Sequence, residues 1–175
     1  MFDAIMNKHT SAVIFFPDRL RVIMRFLLIT QTPSPNTIAL SEATLGAMRA
    51  HGQDKTHITI KSPTEVIADD LDNCDGLLLG TLENIGALSG LTKDMFDRCY
   101  NDWLGRKEGL PVAFYIRAGL DGTATKRTLT AYANALSWRL ITPPIILHGS
   151  YDDAFIARVE ELGGMIVAGV EAGIY

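Results

Sequence analysis

Short apolar runs alternate along the chain with segments in which apolar residues recur at helical spacing. The clearest case is the apolar run 77–79, which stops at Gly80 and is followed by a polar loop over 81–90. Over 91–104 the apolar residues then fall on or near one helical face. A buried strand followed by a loop and a helix is half of a parallel α/β crossover. Because ligands bind at the carboxyl ends of such strands, this loop is the first candidate for chemistry.

The same alternation occurs five times and predicts one doubly wound domain over residues 24–175. Five strands that are each followed by a helix favour a parallel sheet with helices on both faces. The final stretch, 165–174, either extends the last helix or packs as a tail. The predicted strands are 26–30, 57–60, 76–80, 111–117 and 141–148, and the predicted helices are 38–51, 63–73, 91–104, 124–136 and 152–162.

Residues 1–23 do not follow this alternation. The apolar stretch 11–16 is followed at once by Pro17 and two charged residues. It is too short for a convincing signal peptide and has no small-residue cleavage site. We interpret residues 1–23 as an N-terminal extension or as the product of a start codon assigned too early.

Composition excludes several classes of function. The 175-residue chain has a net charge of −4 and no Lys/Arg cluster, which argues against a nucleic-acid partner. Cys74 and Cys99 lie far apart without metal-ligand spacing, as is typical of reduced thiols in a cytoplasmic protein. No apolar run reaches the ~18 residues that a membrane span needs. Neither a metal site nor a Ser-His-Asp or Cys-His arrangement is predicted.

Three strand-end loops contain residue types that bind ligands: 31–37, 81–90 and 118–123. In a sheet ordered 2-1-3-4-5 the strands that precede them are neighbours at the switch point. Loop 31–37 precedes a helix whose free N–H groups and dipole favour a phosphate, and it contains no Lys or Arg. On these residues alone, a simpler alternative stays open, in which Ser34 or Asn36 only caps the helix.

The sequence resembles the flavodoxin-like family, particularly its NAD(P)H-dependent FMN reductase and quinone reductase branches. Residues 80–86 and 89–98 are similar to that family's Gly-Thr-Pro-Glu-Asn, Ser-Gly and Lys-Asp-Phe-Asp-Arg signature. Residues 32–37 look like its Ser-x-Thr-Gly-Asn-Thr phosphate loop, and 117–122 are similar to its third loop. The alternation and the resemblance together predict a three-layer α/β/α sandwich with a five-stranded parallel sheet ordered 2-1-3-4-5.

The resemblance implies one bound FMN. Its phosphate would lie on loop 32–37, and its isoalloxazine between the second and third loops. Backbone groups of Glu83, Asn84 and Gly86 would hydrogen-bond the ring edge, where they tune a flavin without adding titratable groups. The residues expected to contact FMN are Thr32, Ser34, Pro35, Asn36, Thr37, Thr81, Leu82, Glu83, Asn84, Ile85, Gly86, Ala118, Gly119, Asp121 and Gly122.

The resemblance further implies a function, which is hydride transfer from NAD(P)H to FMN and then reduction of a quinone, a flavin or a similar small aromatic acceptor. No catalytic side chain is expected, because the cofactor carries the reaction. A flavodoxin-type electron carrier is an alternative, although a charge of −4 is thin for steering protein partners. A flavodoxin-like binding module that has lost FMN is a further alternative.

The second loop also suggests a quaternary structure. It carries the apolar residues Leu82, Ile85, Ala87 and Leu88 at a site that would otherwise meet water. Large exposed apolar patches mark interfaces. We therefore expect a homodimer or a larger assembly.

Tyr115, Trp103 and Trp138 are expected to be core residues rather than flavin-stacking residues.

Overall fold

A computed structural model describes residues 23–52, 54 and 56–175, so the predicted extension lies, except for Ile23, outside the described residues. Within the described part, seven strands form one sheet in which β2, β1, β3 and β5 are successive neighbours. Beyond β5 lie β6 and β7, while β4 pairs with β3. The strands are β1 (Met24–Thr30), β2 (Thr56–Lys61), β3 (Gly76–Asn84), β4 (Ala87–Leu88), β5 (Pro111–Ala118), β6 (Arg139–Leu140) and β7 (Ile145–His148).

The pairing of the strands confirms the predicted order 2-1-3-4-5. β1 is parallel to both β2 and β3, β3 is parallel to β5, and β5 is parallel to β6 and β7. The predicted fourth strand is β5, and the predicted fifth is divided between β6 and β7. The prediction of five parallel strands is therefore corrected in number, because β4 is an added antiparallel strand.

Helices cover both faces of the sheet. α1 and α4 pack on one face over a cluster that includes Phe26, Leu28 and Ile166. α2 and α3 pack on the other face over a cluster that includes Leu79 and Phe114. The helices are α1 (Pro35–His51), α2 (Gly90–Trp103), α3 (Thr123–Ala135) and α4 (Ala154–Glu171), together with short 3₁₀ turns at Pro63–Glu65 and Ala68–Leu71.

α4 is longer than the helix predicted over 152–162. It continues through Gly163 and Gly164, which sequence reasoning treats as a stop signal. A Cβ atom on Gly163 would lie 2.9 Å from the carbonyl oxygen of Thr44, and one on Gly164 would lie 2.7 Å from the His51 ring. The two glycines therefore allow α4 to approach α1 closely, and most of residues 165–174 extends the helix.

The strand predicted over 141–148 is wrong in its first half. Only Ile145–His148 pairs with β5 there, and the short β6 precedes it. Pro143 and Pro144 lie between the two segments. Because proline has no N–H group, these two residues cannot donate to the ladder, and the strand is interrupted.

The helix predicted over 63–73 is also wrong, because the chain forms two separate 3₁₀ turns instead. Val66 and Ile67 between them are extended. Arg98 of α2 donates through its guanidinium to the carbonyl oxygens of Pro63 and Val66, both at 2.8 Å. These carbonyls are satisfied by a side chain from another element, so the segment does not need a continuous helix.

The tryptophans are core residues, as predicted. Trp103 and Trp138 are buried, with ring centroids 5.5 Å apart, and Phe96 packs edge-on against Trp103 at 5.8 Å. The indole N–H of Trp103 donates to the carbonyl oxygen of Ala68 at 3.1 Å.

No helix among the described residues combines the length and apolar character that crossing a membrane requires.

Candidate functional site

The three candidate loops meet at one edge of the sheet, which we call the carboxyl edge: residues 31–37, 84–88 and 119–122. They follow β1, β3 and β5, which are adjacent and parallel. Thr30 lies opposite Gly80, and the backbone N–H of Gln31 donates to the carbonyl oxygen of Gly80 at 3.2 Å. The predicted switch point therefore exists, with all three loops beside it.

Gly80 lies beneath this edge, and the neighbouring Tyr115 leaves no space for a side chain at this position. It is opposite Tyr115 of β5, and a Cβ atom there would lie 2.1 Å from the Tyr115 ring. The ring is buried, which confirms it as a core residue, and this burial holds the pKa of the phenol far above its ordinary value. Only a residue without a side chain allows β3 and β5 to stay in register here.

The second loop is a β-hairpin rather than the irregular loop predicted over 81–90. β3 does not end at Gly80 but runs to Asn84, because β5 continues to pair with it as far as Ala118. Ile85 (φ 51°) and Gly86 (φ 73°) form the two-residue turn into β4. Two positive φ values match the twist that such hairpins require, but a β-branched residue in this region is strained. The side chain of Ile85 is fully exposed.

Glu83 joins the hairpin to the third loop. Its carboxylate is only 6% exposed, and it accepts hydrogen bonds from the backbone N–H groups of Leu120 at 2.8 Å and Gly122 at 3.0 Å. The two donors lie 37 and 39 residues further along the chain. A buried carboxylate needs such donors, because leaving it unsatisfied would cost several kcal/mol. The side chain of Glu83 is therefore a brace between loops.

A second set of buried hydrogen bonds joins the first loop to the hairpin and to α2. The hydroxyl of Thr92 donates to Oε1 of Gln31 at 3.1 Å and shares a 2.6 Å hydrogen bond with the hydroxyl of Thr81. Because Thr92 has a single hydroxyl proton, Thr81 is the donor in the shorter bond. Thr81 and Thr92 are fully buried. Sequence reasoning did not assign a role to Gln31 or Thr92.

The first loop is held by its own residues. Ser34 is the N-cap of α1, and its hydroxyl accepts from the Thr37 N–H at 3.4 Å while the Thr37 hydroxyl accepts from the Ser34 N–H at 3.0 Å. Pro35 occupies the first helical position, where an N–H group has no partner within the helix. The N–H of Asn36 likewise has no carbonyl to bond within the helix. Ser34 therefore caps the helix, and donors remain beside it.

The structure divides the predicted flavin-contact residues by exposure. The exposed ones have side chains or backbone open to a ligand: Thr32, Pro35, Asn36, Asn84, Ile85, Gly119 and Asp121. Three are half-buried: Ser34, Leu82 and Gly86. The rest are buried: Thr37, Thr81, Glu83, Ala118 and Gly122.

Open space, which we call the gap, lies beside Gly119 of the third loop and Gly86 of the hairpin. A Cβ atom on Gly119 would meet no atom within 4 Å, and one on Gly86 would meet only Leu120 at 3.6 Å. Leu120 is 60% exposed and was not among the predicted contacts. With Ile85 and Leu82 it gives this part of the carboxyl edge an apolar character. The donors are therefore at one end of the edge, and the apolar side chains are at the other.

A cavity of about 350 Å³ beside the first loop has the wrong charge for a phosphate. Glu42 and Glu65 both line it, and the Lys61 ammonium that also lines it lies 2.6 Å from the Asp70 carboxylate. The unpaired charge facing this cavity is negative, which repels an anion. This cavity is therefore not suited to a phosphate.

Solved structures with the same fold have low sequence identity to this chain. A flavodoxin from the domain Archaea gives a TM-score of 0.72 at 16% identity, covering 85% of this chain and 99% of that chain. Flavodoxin 1 from Bacillus cereus gives 0.68 at 16% identity, covering 82% and 97%. An oxidoreductase from Corynebacterium diphtheriae gives 0.61 at 18% identity, covering 86% and 97%.

The comparison of sequences adds no closer relation, because neither a family model nor a curated protein matches the chain. Identities of 16–18% establish the fold alone. The strand order, the helices on both faces and these superpositions together show that the chain has the flavodoxin-like α/β fold.

Proposed function

We propose that the chain is a flavoprotein that binds one FMN at the carboxyl edge. The observation that carries the proposal is the distribution of groups along this edge: neutral donors and a helix N-terminus at one end, and an open apolar gap at the other. A phosphate can be held there without a basic residue, because backbone N–H groups and hydroxyls supply the donors. FMN is the ligand that the family resemblance implies, and it would place its phosphate at the first end and its isoalloxazine at the second.

The first loop would hold the phosphate. Thr32 and Asn36 are exposed, whereas the Ser34 hydroxyl already donates its proton to the Thr37 hydroxyl at 3.1 Å, because the Thr37 proton goes to the Ser34 carbonyl. Pro33 and Pro35 contribute no N–H group, so the loop offers fewer backbone donors than the family's glycine-containing loop would. We therefore expect FMN to bind more weakly than in typical members of that family.

The hairpin and the third loop would hold the isoalloxazine. Asn84 and Gly86 lie at the turn, while the Glu83 carboxylate holds Leu120 and Gly122 in place. The N–H groups of Leu120 and Gly122 are already used, so the flavin would receive its hydrogen bonds from other positions in these loops. This braced arrangement would limit the reordering that binding requires.

The proposed activity is an NAD(P)H-dependent reductase that acts on quinones, flavins or similar small acceptors. When bound, FMN supplies hydride and electron transfer, and the chain positions it and its partners. Charges near the gap support this activity over an electron carrier. Asp121 is exposed there, but Lys126 and Arg127 follow one turn later, so the surface is not the uniformly acidic one that would steer protein partners.

The first test is the absorbance spectrum of the purified protein. We expect purified protein to show flavin absorbance, or to acquire it when mixed with FMN and desalted. Anaerobic addition of NADH or NADPH should then bleach that absorbance within the time of a turnover, which is about seconds or less. Protein that stays colourless would instead support the binding module that has lost FMN. Flavin that binds but is bleached by neither nicotinamide would support the carrier.

The expected homodimer stays a prediction. The full exposure of Ile85 at the tip of the hairpin supports it, because a partner chain would remove this apolar side chain from water. Light scattering at micromolar concentration should give a mass of at least two chains for the native protein. An Ile85→Lys variant should then shift toward the monomer, whereas a native protein of monomer mass would contradict the prediction.

A further inference from the structure

A groove between α3 and β7 opens beside the third loop and is not used by the flavin in the proposal above. It is a shallow groove, open to solvent, with a volume of about 640 Å³. Ile146 of β7 contributes to its apolar lining, while Thr123, Thr130 and Asn134 of α3 add polar groups. Lys126 and Arg127 line it as well, and no carboxylate does. It therefore differs in charge from the acidic cavity on the far side of the first loop.

The two cations of this groove have no acidic partner. Among the described residues, salt bridges neutralise Lys61, Lys93, Arg98 and Arg106, but none reaches Lys126 or Arg127. Lys126 and Arg127 are adjacent in the sequence and line the same groove. An ammonium and a guanidinium together suit a diphosphate, since one acts as a point charge and the other offers forked donors.

The position of the groove relates it to the gap for the flavin. α3 begins at Thr123, directly after the third loop, so residues 126 and 127 are separated from that loop by about 6 Å of helix rise. Asn134 lies about 17 Å along the same axis from the helix start. A dinucleotide separates its nicotinamide from its diphosphate by one ribose, which is on the order of the shorter span. Its adenosine would then extend along the polar face of α3.

We propose that this groove binds the diphosphate and adenosine portion of NAD(P)H, with Lys126 and Arg127 holding the diphosphate. The inference rests on the proposed function and deepens it, because it places the second substrate of the reductase. The charge of the groove attracts an anion, and its length matches a dinucleotide rather than a simple phosphate. A nicotinamide projecting from it toward the third loop would face the gap that the flavin occupies.

The direct test measures binding without any redox chemistry. ADP-ribose and its 2′-phosphorylated form contain the diphosphate and adenosine but no nicotinamide, and calorimetry can follow their binding to the full chain with or without FMN. We expect a Lys126→Ala/Arg127→Ala variant to bind at least about 10-fold more weakly. The affinity of the native protein should fall as salt is raised. The stronger ligand of the two indicates which nicotinamide is preferred.

A matched control removes the same charge elsewhere. Arg25 and Arg49 are exposed and do not line the groove, so an Arg25→Ala/Arg49→Ala variant should retain the affinity of the native protein. A Lys126→Arg/Arg127→Lys variant should also retain most of it. Circular dichroism before each titration checks that the variants are folded. Equal losses in the two alanine variants, or no ADP-ribose binding by the native protein, would overturn the inference.

A kinetic arm separates this inference from the proposed function. 1-Benzyl-1,4-dihydronicotinamide delivers hydride but has no diphosphate, so the groove should not recognise it. For the alanine variant at the groove, the ratio of kcat/KM for NAD(P)H to that for the benzyl compound should fall about 10- to 100-fold. An unchanged ratio would refute the groove as the site. If no dihydronicotinamide reduces the flavin but ADP-ribose still binds through Lys126 and Arg127, the reductase is wrong and the nucleotide site stands.

Discussion

The two ends of the carboxyl edge are held in different ways. The part of the first loop that caps α1 is fixed by contacts between residues three apart, Ser34 and Thr37. The hairpin and the third loop are fixed by a single buried carboxylate, Glu83, whose partners lie 37 and 39 residues away. One edge of the sheet thus combines a part determined by local contacts with a part that forms only once the strands have paired.

This difference has a consequence for stability. Local capping contacts form with the helix and are worth about 1 kcal/mol each. Hydrogen bonds to a buried charge stabilise more strongly, but they require β3 and β5 to be in register first. The capped start of α1, at the first loop, should therefore tolerate substitution better than the hairpin and the third loop. Substitutions at four positions test this expectation, and the first should damage both ends together.

Gly80→Ala should have the largest effect. The added Cβ would lie 2.1 Å from the buried Tyr115 ring, so the ring or the strand must move. Overpacking of this kind costs about 3 kcal/mol. Because the Gly80 carbonyl also accepts from Gln31, both ends of the edge should lose order. Chemical denaturation measures the loss in free energy of unfolding.

Gly46→Ala in α1 is the control for that variant. A Cβ atom there meets nothing within 4 Å, and the position lies inside a helix. Replacing glycine by alanine in a helix should stabilise the protein by about 0.5–1 kcal/mol. If both glycine variants lose similar stability, the contact with Tyr115 is not the cause.

Glu83→Gln should affect only the hairpin and the third loop. Glutamine keeps one acceptor oxygen, but it places an NH₂ group against the second backbone donor, which leaves the N–H of Leu120 or Gly122 unsatisfied. We expect a loss of about 2 kcal/mol. Faster hydrogen exchange at these two amides, measured in the protein without FMN, would locate the change.

The control for Glu83 is an acidic residue at the opposite edge of the sheet. Asp75 accepts one hydrogen bond, 2.8 Å long, from the N–H of Arg25. Asp75→Asn retains a carbonyl oxygen for that single donor, so it should leave exchange at Leu120 and Gly122 unchanged. If Glu83→Gln also leaves exchange at those amides unchanged, the carboxylate does not brace the loop.

The same contrast explains how much of this protein could be predicted from sequence. The alternation of strands and helices follows from patterns within short stretches, as does the cap at Ser34, whereas predicting the strand order also needed the family resemblance. The role of the Glu83 side chain could not be predicted, because its partners are backbone groups that carry no residue signature. The end of β3 was misplaced for a related reason, since pairing with β5 extends it beyond the apolar run.

Ser34 variants test whether the first loop holds a phosphate or is only a helix cap. Ser34→Ala removes the cap and should cost about 1 kcal/mol. Ser34→Asp keeps a capping oxygen and suits the helix dipole, so stability should stay near that of the native protein. Its negative charge should nevertheless weaken FMN strongly by repulsion of the phosphate. Riboflavin has no phosphate, and its affinity should change little. Equal losses for FMN and riboflavin would place the phosphate elsewhere.

The smallest effect is expected at the tip of the hairpin, where strain and exposure coincide. Ile85 has a positive φ of 51° and no packing partner that would compensate for it. Asparagine adopts this conformation readily, so Ile85→Asn should stabilise the isolated chain by about 1 kcal/mol. Ile67→Asn is the control, because Ile67 is also exposed but has an ordinary φ of −118°.

A strained apolar residue such as Ile85 persists only where something else favours it. The stabilised Ile85→Asn variant should therefore bind FMN, or a second copy of the chain, less tightly than the native protein. If it is more stable and keeps both affinities, neither contact accounts for isoleucine at this turn.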